Sequence, residues 1–107
     1  MIKNIEKINE IKRVEVEKIA KYIEKTDTKN IIDKVIVFGS SVREDCTTES
    51  DIDICIISKY DSKNPLFFEI FGTIPMIIDS ECDLLNFKYI SAELKNNILT
   101  TGVIIYE

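Results

Sequence analysis

Histidine is absent from this 107-residue sequence. That absence removes Ser-His-Asp hydrolysis, Cys-His proteolysis and histidine general-base catalysis together, and it leaves carboxylates to carry most of any chemistry. Cysteine is sparse: Cys46, Cys55 and Cys82 are odd in number, unclustered and without C-x-x-C spacing. With no histidine to complete a mixed zinc site, they read as reduced intracellular thiols. No apolar run approaches the length needed to cross a bilayer, and Met1 to Lys25 carries a charge every two or three residues, which is unlike a signal peptide. The expected compartment is the cytoplasm, with no membrane partner. Positive charge is also short: Lys and Arg number 14 against 19 Asp and Glu, for a net charge of −5. Broad binding to nucleic acid draws its affinity from Lys and Arg neutralising phosphates, so a protein, metabolite or nucleotide partner fits better.

What is present is the balance of an ordinary globular chain, 45% apolar and 31% charged. The length predicts one domain, 1–107, able to bury a core but too short to add a sizeable acceptor-binding domain. The acceptor of any transfer reaction is therefore expected to come from outside this chain.

From Asn4 to Lys25, apolar residues at Ile5, Ile8, Ile11, Val16, Ile19, Ala20 and Ile23 fall mostly three or four apart, predicting an amphipathic helix. After a polar turn at 26–30, Lys34 to Phe38 reads as a buried strand that stops at Gly39. Ser40 to Ser50 reads as a helical turn and loop, and Asp51 to Ser58 as a second strand. Pro65 suits the first turn of a short helix and Gly72 its end. Met76-Ile77-Ile78 and Cys82 to Phe87 are extended apolar runs, either one bent strand or a small hairpin. Ser91 caps a helix ended by Gly102, and Val103 to Tyr106 supplies a last strand. Tyr22, Tyr60, Tyr89 and Tyr106 form no aromatic-basic stripe with the five Phe residues, so they read as core and rim packing.

One constellation stands out. Asp51 and Asp53 share a face of the second strand, about 7 Å apart at Cβ for a rise of about 3.3 Å per residue, while Ile52, Ile54 and Ile56 point the other way. Two such carboxylates repel each other unless a cation lies between them, and they suit one or two Mg²⁺ ions. Gly39 lets the backbone turn sharply and approach a ligand, and Ser40 adds a hydroxyl beside backbone amides, an arrangement that binds phosphate. Cys55 lies on the same face as the acids and is expected to be a small buried neighbour, not a nucleophile, because nearby anions raise a thiol pKa.

The segment Gly39-Ser40-Ser41-Val42-Arg43-Glu44-Asp45-Cys46-Thr47-Thr48-Glu49-Ser50-Asp51-Ile52-Asp53 resembles the minimal nucleotidyltransferases of the DNA polymerase β superfamily, whose signature is Gly-Ser, ten residues, then Asp-x-Asp. The resemblance implies an α+β fold, a mixed sheet of about four strands flanked by three helices on one side. It also implies a third carboxylate on a later strand, followed by two apolar residues. Cys82-Asp83-Leu84-Leu85 fits that pattern, and Asp79 is the rival. On this resemblance the reaction is attack of an acceptor hydroxyl on the α-phosphate of a nucleoside triphosphate. Asp51, Asp53 and Asp83 would hold two Mg²⁺ ions, with Asp83 helping to deprotonate the acceptor. Gly39 and Ser40 would grip the terminal phosphates of ATP, and Arg43 would add charge there.

Single-domain proteins that this chain resembles often act as antitoxins that add AMP to a tyrosine of a HEPN-type ribonuclease toxin, and this role is the expectation here. Two alternatives stay open: transfer to a small hydroxylated molecule such as an aminoglycoside, and a binding module that neutralises its partner without turnover.

Overall fold

The computed structural model describes residues 1–59 and 63–107. Tyr60 lies outside the described residues.

Asn9 begins the long first helix, α1 (Glu10–Thr26), by accepting the Ile11 N–H with its side chain at 3.0 Å. Val16, Ile19, Ala20 and Ile23 form its buried stripe. The periodicity from Asn4 onward predicts one continuous helix, but Ile5–Lys7 is a separate 3₁₀ turn. Asn4 sits at φ 59°, tied by its side chain to the Ile104 carbonyl at 2.9 Å, and Asn9 is used as the cap. The helix therefore cannot run through them.

β1 (Ile32–Phe38) starts two residues before the apolar run that announces it, because Asp27 accepts the N–H groups of Ile31 and Ile32 at 2.8 and 3.0 Å. A 3₁₀ turn at Gly39–Val42 follows, and then β2 (Ile52–Ser58). Asn64 caps and Pro65 opens α2 (Pro65–Thr73). Gly72 does not end this helix. The chain continues through Thr73 into a 3₁₀ turn at Ile74–Met76, with Ile70 and Ile74 both buried beneath it. For the same reason Met76 belongs to no strand and is 82% exposed, and only the second apolar run becomes β3 (Cys82–Asn86). Ser91 accepts the Leu94 N–H at 3.1 Å to cap α3 (Ala92–Thr101), and β4 (Val103–Tyr106) closes the chain.

The strand order is β3-β2-β1-β4. β1 pairs antiparallel with both β2 and β4, whereas β2 and β3 are parallel. The sheet is thus mixed, and α2 forms the crossover that a parallel pair requires. Val35, Val37, Ile52, Ile54 and Ile56 pack with α1 and α2 in the main core. The expected α+β architecture of four strands and three helices is present, with one difference in layering: α3 lies on the opposite face. There Ile98 and Leu94 pack on Ile36, Cys55, Leu85 and Ile104. The alternate residues of β1, β2 and β3 are themselves apolar on that face, so it needs a cover of its own. Asp53 of β2 alternates with Ile52 and Ile54 of the main core and so projects on the α3 side.

Candidate active site

Gly39 leaves β1 at φ +72°, a left-handed conformation that side chains rarely adopt. A Cβ built there would overlap the Asp53 carboxylate and sit 3.1 Å from its Cγ. The turn and the acid are therefore in contact, although 14 positions apart in sequence.

Strand register supplies the third member. Asp53 pairs with Phe38 of β1 on one side and with Asp83 of β3 on the other. Register partners on parallel strands project to the same face, so Asp53 and Asp83 stand side by side. Asp51 is exposed, one residue before β2 begins. Asp79 is on the turn before β3, where its N–H is donated to Glu15 at 2.9 Å, and so it is Asp83 that the sheet brings beside Asp53.

Burial raises the Asp53 carboxyl above its ordinary pKa, and the charges of Asp83 and Asp51 push it further, against a smaller opposing effect from Arg43. Arg43 is exposed at the rim, with Nε donating to Asp45 Oδ1 at 3.0 Å, and that bond holds the Asp45 carboxyl below its ordinary value. Among the described residues, no three Cys, Asp or Glu side chains form a ready-made metal cage. Ser40 is half-buried in the turn. Its neighbour Ser41 is fully buried, and its hydroxyl has no hydrogen-bond partner among the described residues.

Cys55 is buried at the base of this face, as its position in β2 predicts, but burial alone pushes its thiol up to about 11. The thiol that senses the acids is that of Cys82, likewise pushed up to about 11, by burial first and then by Asp83, Asp53 and Asp51.

A cleft of about 390 Å³ opens beside the turn, lined by Phe38, Gly39, Val42 and Arg43 on one wall and by Asn97 and Thr101 of α3 on the other. Its volume lies in the range of small-ligand pockets. The sequence gives no hint of Asn97 and Thr101, because nothing local reveals which face of the sheet α3 covers.

Residues 17–107 match the polymerase beta nucleotidyltransferase family. The chain belongs to that family. A relative from Methanocaldococcus jannaschii, named a "putative protein adenylyltransferase", is 37% identical over 81 residues, spanning 70% of this nucleotidyltransferase and 79% of the relative. A solved structure of a toxin-antitoxin with AMP-PNP aligns with a TM-score of 0.61 at 25% identity, covering 79% of this chain and 70% of that one. A tri-AMPylated Shewanella oneidensis HEPN toxin in complex with MNT antitoxin shares the fold with a TM-score of 0.55. Its identity is 24%, and the match covers 82% of this chain and 69% of that one. Among the described residues, no helix of the nucleotidyltransferase is long and apolar enough to cross a membrane.

Proposed function

We propose that this nucleotidyltransferase moves AMP from ATP onto a hydroxyl of a partner protein, a tyrosine of a HEPN-type toxin, and so acts in the cytoplasm as the antitoxin of a pair. The observation that carries the chemistry is the pairing of Asp53 with Asp83 in register, next to the bare backbone of Gly39. The likeness to a protein named an adenylyltransferase supports the nucleotide and the protein acceptor. The likeness to a toxin-antitoxin structure with AMP-PNP supports ATP and the class of partner.

In this reading Asp51, Asp53 and Asp83 hold two Mg²⁺ ions. The residues suit that ion: Asp53 and Asp83 are register partners on neighbouring strands, the charges of Asp83 and Asp51 both act on Asp53, and Mg²⁺ commonly takes only one or two carboxylates from a protein and its other oxygens from water and substrate phosphates. When bound, such ions polarise the phosphoryl group and stabilise the charge that builds on the attacking and leaving oxygens. The N–H groups of the Gly39–Val42 turn and the Ser40 hydroxyl bind the terminal phosphates, with Arg43 adding charge at the rim. Asp83 accepts the proton of the acceptor hydroxyl. The acceptor oxygen then bonds to the α-phosphorus as the bond to the β-phosphate oxygen breaks, and pyrophosphate leaves.

The test uses ATP labelled at the α-phosphate, Mg²⁺ and the protein encoded beside this one. Label should appear on a tyrosine of that protein, and the double variant Asp51→Ala with Asp53→Ala should give none. If the double variant neutralises the partner as well as the unmutated chain does, the enzymatic account of the role fails. Pyrophosphate release that needs an aminoglycoside, with the partner unlabelled, would move the acceptor to a small molecule.

A further inference from the structure

Lys12 of α1 is 1% exposed, the largest fully buried side chain of the described residues. Burying an ammonium group is costly unless it is hydrogen-bonded and paired. Its Nζ donates to the Thr48 carbonyl at 3.1 Å and to Ser80 Oγ at 2.9 Å. One turn along the helix, Glu15 accepts three bonds from the other side of the same turn: the N–H of Asp79 at 2.9 Å, the N–H of Ser80 at 2.8 Å and the Ser80 hydroxyl at 2.5 Å.

A serine beside a lysine suggests a nucleophile and its base, but here the lysine donates to the serine oxygen instead of accepting its proton. The Ser80 hydroxyl donates to the Glu15 carboxylate and accepts from Lys12 Nζ, so its bonds are committed to α1. What the contacts do achieve is mechanical. Thr48 lies three residues before Asp51, and Ser80 lies three residues before Asp83. Between these two points the strands are joined by the Ile52 N–H donated to the Glu81 carbonyl at 2.8 Å.

We propose that Lys12, Glu15 and Ser80 are positioning residues. From the far side of the sheet they fix the starts of β2 and β3 relative to each other, and thereby the spacing at which Asp51, Asp53 and Asp83 meet a divalent cation. Lys12 and Glu15 lie on α1, and Ser80 lies two residues before β3. The inference rests on the proposed roles of the three aspartates, and its test separates the two.

Binding of Mn²⁺ together with a non-hydrolysable ATP analogue is measured on the full chain for Ser80→Ala, Ser80→Thr, Lys12→Met and Asp83→Ala, with thermal unfolding recorded for each. Outer partners of metal ligands commonly change metal affinity by about 10- to 100-fold. Ser80→Ala and Lys12→Met are expected to weaken Mn²⁺ binding by about 10-fold, while Ser80→Thr, which keeps the hydroxyl, stays within about 2-fold of the unmutated chain. Asp83→Ala should weaken it at least as much. If Asp83→Ala weakens binding and Ser80→Ala only lowers the unfolding temperature, the clamp is structural and the inference is overturned. If Asp83→Ala leaves Mn²⁺ binding unchanged, the proposed site fails and takes the inference with it. Should Lys12→Met not fold, the two Ser80 variants decide.

Discussion

The α-carbon of Gly39 and the carboxylate of Asp53 are so close that no side-chain carbon fits between them. A turn that presents backbone N–H groups and an acid that presents negative charge thus share one small volume, with Asp83 as the next neighbour in the sheet.

Gly39→Ala is the direct test of that contact. The left-handed backbone disfavours alanine by about 1–2 kcal/mol, and the new methyl group must also displace Asp53. Nucleotidyl transfer is expected to fall by about 100-fold or more, well beyond the modest loss of stability seen in thermal unfolding. Retention of full activity would show that the close approach is incidental.

Asp53→Asn should separate stability from activity. Burial, then Asp83 and Asp51, raise the folded-state pKa of this acid, so the native state holds its proton more tightly than the unfolded chain does. Below the ordinary carboxylate value both states are protonated and there is no penalty. As pH rises through that value toward the raised one, ionisation costs the native state more, and the loss of stability persists at neutral pH. Without divalent cations, the asparagine variant is expected to unfold at a higher temperature than the unmutated chain at pH 7, with that advantage fading near pH 3. Its transferase activity should be lost. A lower unfolding temperature at pH 7 would mean that the acids are already compensated within the chain.

The thiols give a reactivity test. Cys55 and Cys82 are both pushed up to about 11, against about 8.5 for a free cysteine. At pH 8 each should react with a thiol reagent roughly 100-fold more slowly in the native state than in denaturant, even before access is considered. Mass spectrometry of labelled peptides over time would check this. Rapid native labelling of Cys82, which is only half-buried, would show that neither burial nor the acids hold its thiol up.

Gly102→Ala tests how closely α3 is seated. A carbon there would overlap the Ile36 side chain and the Ile98 carbonyl, and overpacking of this kind costs about 1–3 kcal/mol. The variant is expected to unfold at a lower temperature and to bind ATP more weakly, because Asn97 and Thr101 of the same helix line the cleft. Unchanged nucleotide binding would mean that the α3 wall of the cleft does not touch the ligand.

Much of the site can be read before folding is considered. Gly39-Ser40 and Asp51-Ile52-Asp53 are local patterns on either side of one loop, and period-2 alternation alone places both acids on one face with the isoleucines opposite. The third acid is harder. Asp79 and Asp83 both lie near apolar runs, and only the parallel register of β2 with β3 chooses between their positions. The expected strand at Met76–Ile78 and helix end at Gly72 failed for a related reason. Burial of Ile70 and Ile74 under the sheet extends the helical path past a residue that would otherwise stop it.

By itself, the sequence determined what depends on neighbours along the chain: the alternating strands, the helix start at Pro65 and the cap at Ser91, the sharp turn at Gly39 and the shared face of Asp51 and Asp53. Tertiary structure alone decided which face α3 covers, that Asp83 stands beside Asp53, that Cys82 and not Cys55 senses the acids, and that Lys12 is buried against Thr48 and Ser80. Each of these depends on contacts between segments far apart in sequence, where competing apolar surfaces and buried charges settle the arrangement only when the whole core forms.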